Sequence, residues 1–309
     1  MTHHTHRSPR GFTLVELLLV VTIIAVILAL ILVGLSKVQQ QARATECLSN
    51  LRQLALANQS YATDNEGRLA SPRTDSLPPD SGMPGISNPW VNTSGALVGG
   101  KETNASLERG VLWTYVDQSY KAYVSPMDPT ARRTFERLPP NTLADGRVRS
   151  YSFNAFVGCG AYRYDKRCDD LWAFPDPASA DMPEPYRGGQ FNTMTLSSIP
   201  QPSRTMATIT EEDTYGYNTQ GWCIRVRPPS GTAGDWIDTP ALWNPGRVNI
   251  AYMDGSFEAP NIIYEQLAKI MQPNPNQAPI HFALETGTRP AFKFMSSILL
   301  PGIVRPELQ

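Results

Sequence analysis

Histidine is nearly absent from this chain: of four, three lie at His3, His4 and His6, and His281 is the only other. Ser-His-Asp or Cys-His chemistry beyond the first residues would have to use that one imidazole, and a multi-histidine metal site there is excluded. No excess of basic charge exists, the formal net charge being -1, so nucleic acid is not an expected partner. Gly-x-Ser-x-Gly, His-Glu-x-x-His, a Walker loop and a dinucleotide fingerprint are all missing, and no internal repeat stands out. Charged residues are also scarce at 18%, whereas 27 Pro and 22 Gly point to a loop-rich, strand-containing body instead of a helical bundle.

What the chain does have is Arg10-Gly11-Phe12-Thr13-Leu14-Val15-Glu16 followed by an uncharged apolar run from Leu17 to Ser36. About 20 residues at about 1.5 Å rise span about 30 Å, the thickness of a bilayer's hydrocarbon core. Glu16 sits at one end of that run, where an ionised side chain costs on the order of 3 kcal/mol and needs a partner. A secretory signal peptide has a shorter apolar core that ends in the cleavage site, whereas here the small residue, Gly11, precedes the run.

These residues resemble the type IV pilin and type II secretion pseudopilin family, whose leader ends in Gly followed by Phe-Thr-Leu-Val-Glu. The resemblance implies that a prepilin peptidase cuts between Gly11 and Phe12, that the new Phe12 amine is methylated, and that Glu16 pairs with the amine of a neighbouring subunit during filament assembly. It also implies an N-terminus on the cytoplasmic side of the inner membrane and a body outside, which the balance of Arg7 and Arg10 against Lys37, Arg43 and Arg52 does not settle. Disulfides are then allowed.

Past Ser36, Val38, Ala42, Thr45, Leu48, Leu51, Ala55 and Asn58 recur at three- and four-residue steps, which predicts one helix continuing to Asp64-Asn65-Glu66-Gly67. Ser71 to Gly100 reads as a long loop anchored by Trp90. Strands are expected over 148–157, over 204–211 with Met206, Thr208 and Thr210 on one face, over 221–226, and in a hairpin over 247–258 with a two-residue Asp254-Gly255 turn. The fold class is therefore α+β and pilin-like, a long N-terminal helix on an antiparallel sheet with long loops. The expected organisation is a leader at 1–11, a transmembrane helix at 12–36, its amphipathic continuation at 37–66, an extracytoplasmic body at 67–272 with a short helix at 262–271, and a Pro-punctuated, mostly irregular tail at 273–309.

Short islands in the body, among them 47–54, 123–129, 149–154, 199–205 and 246–255, are similar to a pseudopilin-like group abundant in planctomycete and verrucomicrobial genomes. Its C-terminal signature, a His separated from Asp-Gly by nine residues, falls on Asn244, Asp254 and Gly255, with Asn replacing the imidazole. Where that group often has Cys before Pro, this chain has Ser125, which deprives Cys47 of its usual kind of partner.

Cys159 and Cys168 bracket a short loop and could bridge, closing a ring worth about 2 to 3 kcal/mol, although four cysteines allow three pairings. Asp169 and Asp170, and Glu211, Glu212 and Asp213, are oxygen-rich enough to suggest Ca²⁺, but neither group has the spacing of a defined calcium loop, so no cofactor is expected. Trp222, Trp236 and Trp243 could bind sugar rings, although core packing competes. The reading is a non-enzymatic pseudopilin whose partners are prepilin peptidase, other subunits and inner-membrane lipid. The alternative is a tethered glycan-binding or hydrolytic module using the same export route.

Overall fold

The computed structural model describes residues 12–74, 88–158, 195–199, 201–212, 221–222, 224–225, 235–236, 238–261, 282–283 and 289–299. The chain divides into two compact units at Arg43/Ala44. Helix α1 (Leu14–Asp64) starts in the first and ends in the second. In the first unit it is apolar and long enough to cross a membrane, with Leu14, Leu18, Ile24, Leu28 and Leu35 among the many side chains left exposed. Thr22 Oγ1 donates to Leu19 O at 2.8 Å, so this hydroxyl within the apolar run is satisfied by its own helix.

The second unit is built on a four-stranded antiparallel sheet in the order β3 (Tyr151–Phe153), β4 (Met206–Thr210), β7 (Ile250–Tyr252) and β8 (Phe257–Glu258). Two smaller sheets join it, β1 (Leu97–Val98) with β2 (Lys101–Glu102), and β5 (Ile224–Arg225) with β6 (Asp235–Trp236) and β9 (Phe282–Ala283). The C-terminal half of α1 packs on the front of the main sheet through Cys47, Leu51, Leu54, Ala55 and Tyr61, which share a core with Tyr151, Phe153, Ala207 and Ala251. Beyond a short helix α2 (Asn104–Glu108), a helix α3 at Arg289–Leu299 covers the back, burying Ala291, Phe292, Met295, Ile298 and Leu299 against Met206, Ile209, Trp222, Ile250 and Tyr252. Asn154 ties the layers together, its Nδ2 donating to Met206 O and, at 2.7 Å, to Leu299 O at the end of α3. This is the expected α+β arrangement of a long N-terminal helix on antiparallel strands.

Four expectations change in detail. The packed stripe of α1 runs through Ala44, Cys47, Leu51, Leu54 and Asn58, while Val38, Ala42 and Thr45 are exposed. The apolar spacing of the lipid run is thus not the phase the sheet uses. In β4, Ala207 is an extra residue in the pairing with β7, since Met206 sits opposite Tyr252 and Thr208 opposite Ala251. This bulge reverses the alternation, placing Met206 with Ile209 on the back and leaving Thr208 to donate to Leu51 O on the front.

The Asp254-Gly255 hairpin forms, but Gly255 alone has positive φ, +83°, with Gly255 N donating to Tyr252 O and Tyr252 N to Ser256 O. The connection is therefore a three-residue turn with a bulge, not a two-residue one. A Cβ at Gly255 would also lie 2.8 Å from Leu56 on α1. Lastly, the described part of the tail includes a helix, 289–299, which forms because Ala291, Phe292, Met295, Ile298 and Leu299 fall on one face. The short helix expected at 262–271 lies outside the described residues.

Trp90 anchors its segment as expected, stacked on Tyr123 at 5.9 Å and edge-on to Phe153 at 4.8 Å. Beside it the Arg149 guanidinium and the Glu102 carboxylate form a buried pair at 3.0 Å. Ser152 on β3 is hydrogen-bonded to the carboxylate of Glu211, just past the end of β4.

Candidate functional site

At the start of α1 the backbone needs donors and acceptors of its own, because the first turn of any helix leaves N–H groups unpaired. Thr13 supplies them. Its carbonyl accepts from Leu17 N at 3.2 Å, making it the residue that opens the helix. Thr13 Oγ1 accepts from Glu16 N at 3.3 Å, and Glu16 Oε2 accepts from Thr13 N at 2.9 Å and from Thr13 Oγ1 at 2.8 Å. This reciprocal closure is a capping box, and it holds the Glu16 carboxylate over the positive end of the helix. Phe12 precedes it with its side chain 74% exposed. Gly11 lies outside the described residues. Sequence reasoning singled out Glu16 and missed Thr13, although Thr-x-x-Glu before an apolar run is the signal that would have found it.

In the body, Cys47 is fully buried between α1 and the sheet, with Ser125 Oγ at 3.2 Å, Asn249 Nδ2 at 3.1 Å and Tyr151 OH at 3.7 Å from its sulfur. Burial pushes its thiol up, against the opposing pull of the Ser125, Asn249 and Tyr151 hydrogen bonds. Asn244, at the position of the signature His, donates through Nδ2 to Asn249 Oδ1 at 2.9 Å and so joins this polar line to the sulfur. Asp254 is taken up by its turn, with Oδ1 accepting from Ser256 N at 2.9 Å and from Ser256 Oγ at 2.6 Å.

Glu211 and Glu212 do not converge on a common point. Glu211 is buried and bonded to Ser152, while Glu212 accepts from Trp243 Nε1 at 2.7 Å and from Arg147 at 3.4 Å, Arg147 also lying 3.7 Å from Asp128. Among the described residues no group of three or more His, Cys, Asp and Glu side chains is arranged to hold a metal ion. Asp169, Asp170 and Asp213, and both Cys159 and Cys168, lie outside the described residues. Trp222 is fully buried, so it is core and offers no face to a sugar ring, and Trp243 is engaged with Glu212 and lies beneath Arg147.

Burial raises the Glu212 carboxyl above its usual 4.5, with Arg147 opposing and Asp128 reinforcing the shift. A carboxyl raised on folding favours the folded state when protonated, so this contribution is complete below about pH 4.5 and is lost as pH rises through the folded value. Glu212→Gln should therefore flatten the fall in melting temperature between about pH 4.5 and neutrality, as thermal melts across that range would show.

A family model for the prokaryotic N-terminal methylation motif matches residues 6–32, a span that holds Gly11, Phe12, Thr13, Glu16 and most of the apolar run. No curated protein and no solved structure matches the chain. The N-terminus thus carries a prepilin-type signal on a helix that anchors the protein in a membrane.

Proposed function

We propose that this protein is a pseudopilin-like structural subunit, cut by prepilin peptidase between Gly11 and Phe12, methylated on the Phe12 amine, and assembled into a type II secretion or type IV pilus-like filament. The carrying observation is a lone carboxylate, Glu16, at the head of an uncharged apolar run inside a matched methylation motif. Such a group in hydrocarbon needs a cation, and cleavage creates one at Phe12. The N-terminus lies in the cytoplasm, α1 spans the inner membrane, and the sheet body lies on the far side. Leu14 to Leu35 supply the apolar packing between subunits, and Glu16 supplies their register. The body serves as a packed, non-enzymatic module; its buried polar groups engage one another, as in the pairs Glu102–Arg149 and Glu211–Ser152.

Two substitutions test the reading. Gly11→Leu should leave the full-length precursor, seen by intact mass, with no methylated Phe12. Glu16→Val should be cut and methylated normally yet yield no filaments when cells are sheared and the released material is imaged. Normal filaments from the Glu16 variant would overturn the register role.

A further inference from the structure

Glu16 already makes three hydrogen bonds within its own chain, two of them through its carboxylate. Thr13 contributes the backbone N–H and the hydroxyl that bond Oε2, and its Oγ1 receives the Glu16 N–H in return. Both residues are exposed, so in a bilayer these bonds face lipid and have no water to compete with them. Phe12 Nα is joined to Thr13 N through only the Phe12 Cα and carbonyl carbon. A carboxylate held 2.9 Å from Thr13 N therefore sits beside the place where cleavage would release the positive charge of its own chain.

We propose that Thr13 is a positioning residue for Glu16. It holds the carboxylate against the N-terminus of its own helix, so a processed subunit waiting in the membrane balances that charge internally, and assembly exchanges this arrangement for a neighbour's amine. The exchange rests on the filament reading above; the internal hold does not. Chemistry sets what position 13 must be. Serine keeps the hydroxyl that donates to Oε2 and accepts from Glu16 N. Valine keeps the shape of threonine and the backbone N–H but loses both hydroxyl bonds, so the carboxylate is no longer fixed.

The test is a solid-state NMR measurement of the separation between Thr13 ¹⁵N and Glu16 ¹³Cδ in the processed, unassembled subunit in lipid vesicles, with filament yield and intact mass measured alongside. Wild type and Thr13→Ser should show a short, well-defined separation. Thr13→Val should lose it and give several-fold fewer filaments while cleavage and methylation stay normal. A long or undefined separation in the wild-type subunit overturns the internal hold, and wild-type filament yield from Thr13→Val overturns the exchange. Since the distance is read before assembly, a wild-type subunit without the short separation would count against the Thr13 hold alone, whereas normal filaments from Glu16→Val would count against the filament reading alone.

Discussion

Ser125→Cys should close a disulfide with Cys47 and raise the melting temperature of the body by about 10 °C in oxidising buffer, with reductant reversing the gain. The serine oxygen already lies 3.2 Å from the Cys47 sulfur, and both residues are fully buried. A bond between them would close a loop of roughly 80 residues, which in the chain-entropy model is worth about 4 kcal/mol. At a few degrees per kcal/mol for a body of this size, that gives the shift stated. The bond would also replace the polar contact between Ser125 and Cys47, leaving Asn249 and Tyr151 as the donors on the sulfur side. Titration of free thiols before and after unfolding checks the bond directly; the double variant Cys47→Ser/Ser125→Cys should show no gain. An unchanged thiol count with no rise in melting temperature would mean that the two side chains are not in register for a bridge.

The second large effect lies at the other end of the chain. Met295 is fully buried in the layer between α3 and the back of the sheet, and Met295→Ala should cost about 3 kcal/mol, measurable as a lowered urea midpoint with an unchanged slope. Ending the chain before Arg289 should do far more. It strips the cover from Met206, Ile209, Ile250 and Tyr252 and removes five buried apolar residues, each worth about 1.5 to 3 kcal/mol for the larger side chains. Their sum is comparable with the whole stability of a typical domain. The truncated protein is expected in the aggregated fraction after membrane extraction; a soluble product with a cooperative melt would show that α3 is dispensable.

The sequence was most informative where one physical demand acted alone. Lipid accepts only apolar side chains, so the start of α1 could be read from Leu17 to Ser36 without knowing anything of the body. Gly67 was readable as the stop for the same reason, as it takes φ of +80° just past Asp64. Where two demands overlapped, the reading slipped. Val38, Ala42 and Thr45 continue the spacing of the apolar run, but the sheet takes the phase through Ala44, Cys47 and Leu51. Alternation in 206–210 could not reveal that one residue, Ala207, would be inserted against β7.

The α3 helix was hidden by its proline-bearing surroundings, although Phe292, Met295 and Leu299 recur at helical spacing. At the candidate site, Glu16 was conspicuous as a charge in oil, whereas Thr13, uncharged and commonplace, shows its part only once its hydrogen bonds are seen. The Cys47–Ser125 proximity joins segments far apart in the chain, which no local pattern encodes.

The order of synthesis gives the position of α3 a further consequence. The anchoring helix emerges before the strands of the main sheet, and the piece that shields the back of that sheet leaves the ribosome only after all four of those strands. Until then the nascent body carries an apolar surface tethered close to a bilayer, with Asn154 lacking the α3 carbonyl it will bind. Ribosomes that stall or terminate shortly before Arg289 would leave products that are firmly inserted yet unable to close, natural targets for membrane-bound proteases.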